Sequence, residues 1–292
     1  IVGAVLGLVA VVPFGKNSFL TNMNVGILFF IAVTTIATLA IFIGGWGSGN
    51  RFALLGAVRA VAMLISYEVP MVLSLVGVLL ITGSMSLVEV VEAQRIPFLI
   101  LQPIGFFVFA AAATAEINRS PFDLLEAESE LTAGFHTEYS GMKFGLIQLA
   151  EFAEVVVISA ILATLFLRGW ENPFVPIGWI QILPSHLWFV LKILFFIFLF
   201  VWIRATVPRL RVDQVMGFAW KVLFPLSIVN LLVTASMVVI WPEPTTSQLW
   251  IMVGINWSVA IVCLIGWTRR LEKNRKRPTA TVKRVEMASE VE

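Results

Sequence analysis

Carboxylates set deep in apolar sequence are the residues of this chain with chemistry to do. Glu151 and Glu154 stand three apart in an otherwise strongly apolar run from Phe144 to Leu167, so on a helix they share one face. Glu68 follows Tyr67 in another apolar run, beside Pro70. A charge at the centre of a bilayer costs on the order of 2.5–3.5 kcal/mol, so such acids must face protein or water, or be protonated. Acids in that setting serve proton or ion paths by default. The bland alternative is structural pairing, for example of Glu68 with Arg59. Eight of the 18 acidic residues fall between Glu116 and Glu154: Glu116, Asp123, Glu126, Glu128, Glu130, Glu138, Glu151 and Glu154. That density ties the intramembrane pair to the loop before it and makes loop and helix one candidate site.

The loop has local signals of its own. Ser120 can cap a helix, Pro121 suits the first helical position, and Asp123 lies three residues after the cap. On the helix so started, Asp123, Glu126 and Glu130 share a face and Glu128 projects away, while Phe122, Leu124, Leu125 and Leu131 interleave with them. The expectation is a short amphipathic helix lying against protein or the membrane interface. A later connection, from Arg204 through Pro208, Arg209 and Arg211 to Asp213 and Gln214, is basic. It either complements the acidic loop across a polar chamber or merely holds positive charge on one side of the membrane; spacing does not choose between these.

Other chemistries are poorly served. The single cysteine, Cys263, sits in an apolar run, so no internal disulfide, iron–sulfur cluster or Cys-based zinc site can be built from it. Packing or lipid contact is the expected role of Cys263. His136 and His186 show no ligand spacing. Neither a metal nor a bound redox cofactor is expected in this chain.

The elements that must position these acids are membrane spans. Of 292 residues, 59% are hydrophobic and 13% charged, and mean hydropathy is +0.94. A soluble domain averages roughly 25% charged residues, and one of this size could not cover so much apolar surface. A crossing helix needs about 20 apolar residues. Runs of that kind cover roughly 24–45, 61–83, 97–115, 143–167, 186–206, 217–241 and 248–267. Ile1 to Val12 is a shorter apolar stretch, expected to be part of a helix that begins upstream. The fold class is therefore all-α, a polytopic transmembrane bundle of about eight spans with the first incomplete. It divides into a helical domain over 1–267, with the acidic loop 116–142 inside it, and a basic tail over 268–292.

Lys and Arg set the orientation. With strict alternation of spans, sixteen of them fall on one side, in the connections 46–60, 116–142 and 207–220, beside them at Lys143, Arg204 and Lys221, and in the tail. Four fall on the other: Lys16, Arg95, Arg168 and Lys192. The positive-inside rule then places the acidic loop and the tail in the cytoplasm. The tail is read as a topology anchor at an anionic leaflet, or else as a docking strand for a soluble partner. The absence of a convincing internal repeat argues against an inverted-repeat transporter.

The stretch from Ala115 to Tyr139, AEINRSPFDLLEAESELTAGFHTEY, resembles the signature loop of the quinone-site membrane subunit (the family called 1 or H) of respiratory complex I. So do Ala57–Ala60 through Ser66–Val69, Leu149–Phe152, and Arg204 to Gln214, and the likeness runs through nearly the whole chain. The resemblance implies a helical subunit joining a hydrophilic redox arm to antiporter-like membrane subunits. Its cytoplasmic face would help form a quinone chamber, with quinone as substrate, and buried acids would couple quinone reduction to proton translocation. Carried over residue by residue, Glu68, Glu116 and Glu151 match the acidic connection, as do the loop acids Asp123, Glu126, Glu128, Glu130 and Glu138. Arg119 matches the loop arginine, and Arg209, Arg211 and Asp213 match the loop near the chamber. Glu154 is an acid that many relatives lack, and Phe152 stands where Tyr is common. The family's first helix and its Gly-Pro-Asn-Arg amphipathic segment do not occur in these 292 residues, so quinone contacts from that segment have no counterpart to name.

On this reading the chain catalyses nothing alone. NADH, FMN and iron–sulfur clusters would belong to partner subunits of an NADH:quinone oxidoreductase acting as a proton translocase. Its place would be the bacterial plasma membrane, ahead of the mitochondrial inner membrane, in contact with lipid and without a nucleic-acid partner. The competing readings are the equivalent subunit of a ferredoxin-, deazaflavin- or hydrogen-linked complex and, from another class, a stand-alone secondary transporter.

Overall fold

A computed structural model describes residues 1–16, 18–119, 121–123, 134–172, 184–242 and 244–275, with side chains to 269. The described residues are helical and form no β-strand. Six helices are long and apolar enough to cross a membrane. In chain order they are α2 (Gly26–Gly47), α3 (Arg51–Thr82), α7 (Met142–Phe166), α8 (Ser185–Thr206), a continuous helix over Val212–Ile240, and α11 (Thr246–Arg275). Two shorter apolar helices, α1 (Val2–Val11) and α6 (Pro103–Glu116), complete the eight apolar segments expected. The short α4 (Leu87–Ala93) and α5 (Phe98–Leu101) lie between α3 and α6. The 212–240 helix comprises α9 (Val212–Phe218), a π-helical turn (Ala219–Leu223) and α10 (Phe224–Ile240).

Three segments differ from the sequence expectation, each for a local reason. The connection expected over 46–60 is mostly helix, because Asn50 caps α3 early: its side chain accepts from the Phe52 N–H at 3.0 Å. Arg51 and Arg59 thus ride on a 32-residue helix. At 1.5 Å per residue it is about 48 Å long, well beyond a roughly 30 Å hydrocarbon core.

The span expected over 97–115 is broken. Pro103 cannot donate its nitrogen and pushes the residue before it out of the helical region, so Gln102 sits at φ −128°, ψ 69° between α5 and α6. Polar groups from other helices satisfy the broken backbone, as the interior of a membrane protein requires. Asn256 Nδ2 donates to the Leu101 carbonyl at 2.7 Å, and Trp257 Nε1 to that of Ile100 at 3.1 Å. Gln102 Nε2 in turn donates to the Gly77 carbonyl at 3.1 Å.

The amphipathic helix expected to start at Ser120 and Pro121 does not begin there, since Pro121, Phe122 and Asp123 form a turn. The Phe122 N–H closes it on the Arg119 carbonyl at 2.9 Å. Ser120, Leu124, Leu125, Leu131 and the acids Glu126, Glu128 and Glu130 lie outside the described residues. Helix α11 carries the first basic residues of the expected tail, and the positions from 276 onward likewise lie outside them.

The core is organised around α3, which packs against α2, α6 and α10. Its buried face runs through Ala53, Ala57, Ala60, Leu64, Tyr67, Met71, Leu75 and Val78. Small residues let α2 approach closely: a Cβ on Gly45 would lie 2.3 Å from that of Ala57. Helix α7 packs against α1 and α8 and buries nearly all of its last ten residues. The outward faces of α8 and α11 are large and apolar, Phe198, Trp202, Ile261 and Leu264 among them, as lipid contact requires.

Candidate functional site

The acids at the end of α6 and in the first half of α7 converge. Glu116 is the last residue of α6 and is buried. The chain turns beyond it through Asn118, whose positive φ of 53° is one that Asn tolerates better than most side chains. Glu151 and Glu154, buried on one face of α7, meet Glu116 across a small cavity. Thr38 of α2, Leu64 of α3, Asn118 and Phe135 close its walls. Its volume of about 20 Å³ exceeds the roughly 10–15 Å³ that one water molecule requires. Glu116 thus feels the like charges of both Glu154 and Glu68. Three carboxylates thus face one small space.

Glu68 stands beside this cavity rather than in its wall. It is half-buried on the α2-facing side of α3, and Thr35 of α2 donates a hydrogen bond to its Oε1. The pairing hydroxyl comes from a neighbouring helix, a partner that sequence spacing does not reveal.

Arg119, half-buried, holds its guanidinium 4.4 Å from the centre of the Phe152 ring. The Phe152 ring is therefore a cation–π platform for Arg119. The 121–123 turn is anchored next to it. Phe122 packs on Tyr67, with ring centroids 5.2 Å apart, and on Phe218 at 6.3 Å. The Leu210 N–H donates to the Pro121 carbonyl at 3.2 Å, and Tyr67 Oη to the Val215 carbonyl at 2.9 Å. The acidic loop and the basic 204–214 connection thus meet, and the start of the loop is clamped between α3 and α9. Beyond Phe122 an apolar cavity of about 460 Å³ opens between α6 and α8, lined by Phe106, Ala110, Phe196, Phe200 and Leu210.

Not every expected residue joins the carboxylate cluster. Asp123 is half-buried in the clamped turn. Arg209, Arg211 and Asp213 are exposed on the surface next to it. Glu138 is exposed and accepts from Asn50 Nδ2 at 3.1 Å, which ties the loop to the start of α3.

Two residues that the sequence left without a role sit at the site or brace it. His136, in a 3₁₀ turn over Gly134–His136, is buried with Nε2 3.7 Å from Glu151 Oε1. Lys192 of α8 is buried at the opposite end of α7, where its Nζ donates to the carbonyls of Leu167, Gly169 and Glu171. His136 and Glu151 lie fifteen residues apart in sequence, so no spacing rule pairs them. Among the described residues no group of three or more His, Cys, Asp or Glu is arranged to hold a metal ion.

The protein is thus a polytopic helical membrane protein with buried carboxylates gathered at one end of its bundle, beneath a clamped polar loop. Comparison with known proteins makes this specific. The model of the NADH dehydrogenase family matches residues 1–235. The H subunit of the NADH-quinone oxidoreductase of Dehalococcoides mccartyi is 50% identical over 260 residues, covering 89% of this chain and 70% of that protein. Its counterpart in Geobacillus kaustophilus is 49% identical over 227 residues, 77% of this chain and 67% of that one. That of Carboxydothermus hydrogenoformans is 44% identical over 225 residues, 77% of this chain and 63% of that one. The chain belongs to this family.

Proposed function

We propose that this chain is the membrane subunit of a bacterial plasma-membrane NADH:quinone oxidoreductase and couples quinone reduction to proton movement. The observation that carries the reading is the convergence of Glu116, Glu151 and Glu154 on one small cavity at the end of the bundle where the acidic and basic loops meet. Reducing a quinone takes up protons, and a set of coupled carboxylates beside that reaction changes its charge state in response. Glu68, reached through α3, extends the set into the membrane. With one cysteine, the chain cannot hold an iron–sulfur cluster, so electrons come from partner subunits carrying FMN and such clusters. Other membrane subunits take up the coupling. Arg119, Asp123, Arg209, Arg211 and Asp213 then form the polar surface facing the quinone chamber, and Glu138 fastens the loop beside it.

The test is proton pumping by the assembled complex in proteoliposomes. Gln keeps the shape of Glu but cannot change protonation. Glu116→Gln and Glu151→Gln should therefore assemble yet lower quinone turnover or pumping by roughly 100-fold, the usual scale for a positioned proton-transfer group. Wild-type turnover and pumping in both variants would show the acids to be structural partners only.

A further inference from the structure

We propose that His136 is the proton relay that serves Glu151 from the cytoplasmic side, an inference that rests on the coupling role of Glu151 proposed above. The imidazole is 4% exposed, and its ring is wedged between Phe135, at 3.7 Å between centroids, and Phe144, edge-on at 5.5 Å. The loop presenting it is fixed on three sides. A Cβ on Gly56 of α3 would come within 3.0 Å of Gly134 Cα, so the 3₁₀ turn rests directly on that helix. Tyr139 Oη donates to the Gly44 carbonyl of α2 at 2.9 Å, and the Tyr139 N–H donates to the carbonyl of His136 itself at 2.9 Å. Glu138 is held by Asn50.

Inside this rigid seat neither ring nitrogen has a hydrogen-bond partner among the described residues. A buried polar atom left so is costly, and packing alone would be met better by a phenyl ring. Glu151 Oε1 stands 3.7 Å from Nε2. That lies just beyond hydrogen-bond reach, so a small rotation of either side chain makes or breaks the contact. The other charged groups at this junction are Glu116 at the end of α6, Glu154 one turn along α7, and Arg119 over Phe152. Arg59 and Glu68 stand on α3 and the exposed Lys143 on the first turn of α7. Of these carboxylates, Glu151 is the one in salt-bridge range of His136, and it is also in the wall of the shared cavity.

The step conserves charge. An imidazolium passes the proton on Nε2 to the Glu151 carboxylate, leaving a neutral ring with its proton on Nδ1 and a neutral acid. After the ring turns away it regains a proton from water on the cytoplasmic side, while Glu151 passes its own inward towards Glu116 and Glu154. An imidazole can both accept and donate a proton through its two ring nitrogens, which suits it to this exchange.

The experiment uses the assembled complex in proteoliposomes and compares His136→Gln and His136→Asn, polar side chains that carry no exchangeable charge, with Glu151→Gln. The expected result is at least one assembled histidine variant with turnover and pumping lowered about tenfold or more. Its turnover should also lose the pH dependence that falls between about pH 6 and 8, and added imidazole should restore activity to His136→Gly. Wild-type turnover and pH profile in His136→Gln, alongside an impaired Glu151→Gln, would overturn the relay and leave the coupling role of the carboxylates standing. Wild-type behaviour in both sinks both ideas. Failure of Gln and Asn alike to assemble would make His136 a packing residue and overturn the relay too.

Discussion

Lys192 shows what a charge on the far side of the bundle can do. The C-terminal carbonyls of a helix have no partners within it, and at the end of α7 they are buried. Lys192 Nζ reaches across from α8 to the carbonyls of Leu167 at 2.6 Å and Gly169 at 2.7 Å, and to that of Glu171. Gln94 serves the same end, its Nε2 donating to the carbonyls of Thr164 and Leu165 and its Oε1 accepting from the Arg168 N–H. The positive charge also faces the negative end of the α7 dipole. Lys192→Met keeps the length of the side chain but strands those carbonyls, and buried unpaired groups cost about 1–3 kcal/mol each. We expect the complex carrying it to lose activity at a temperature several degrees lower in a thermal-inactivation series, with turnover near wild type at the growth temperature. Lys192→Arg should not spare the cap, because a planar guanidinium cannot converge on three carbonyls as an ammonium does. At this scale the sequence was half legible. Glu116, Glu151 and Glu154 stood out because a carboxylate in apolar sequence is costly wherever it points. Lys192 and His136 did not, because their meaning lies in partners on other segments, and the topology count treats Lys192 only as one of four basic residues on the minor side.

Elements were legible where hydrophobic length alone decides, and less so where a cap or a proline does. All eight apolar segments were expected, but α3 begins ten residues before its apolar run because Asn50 caps it. The break at Gln102 follows from Pro103, yet its acceptability depends on Asn256, Trp257 and Gly77, far away in the chain. The closest approach between helices, Gly45 on Ala57, matters more to the site than its apolar surroundings suggest. The two helices it joins both touch the 3₁₀ turn that presents His136. A Cβ on Gly45 would also lie 3.0 Å from the Ala53 carbonyl oxygen, which is backbone and cannot move aside. Gly45→Ala should therefore force α2 and α3 apart and sharply reduce the amount of assembled complex, as measured by subunit content on a native gel. Gly254→Ala on α11, where an added Cβ meets nothing within 4 Å, is the matched control and should assemble normally. Equal assembly of the two variants would mean that the α2–α3 contact does not organise the site.

For the whole molecule the question is which end of the bundle faces the cytoplasm. The carboxylate cavity, the clamped 121–123 turn, the 134–139 loop and the basic residues Arg204, Arg209, Arg211, Lys221 and Arg269 all gather where α2, α6 and α8 end and where α3, α7 and α9 begin. The opposite end carries the 83–86 and 241–245 connections and the Gln94–Lys192 cap on α7. A bilayer reads that asymmetry: each Lys or Arg near an anionic leaflet is worth about 1 kcal/mol, and basic residues are retained on the cytoplasmic side during insertion. The cavity end should therefore be cytoplasmic, where a soluble redox arm can reach it. Two serines mark the ends, the exposed Ser140 in the loop after His136 and the half-buried Ser84 after α3. In a Cys263→Ser background, which removes the native thiol, Ser140→Cys should react with a membrane-impermeant maleimide only when the cytoplasmic face is open, as in inverted vesicles. Ser84→Cys should react in intact cells whose outer barrier has been made permeable. On the proposed function partner subunits would cover Ser140 in the assembled complex, so its labelling should rise when the peripheral arm is stripped, while that of Ser84 stays constant. The reverse pattern, with Ser140→Cys labelled from outside, would put the acids on the wrong side of the membrane to meet a cytoplasmic electron donor, and the coupling role would fall with the topology.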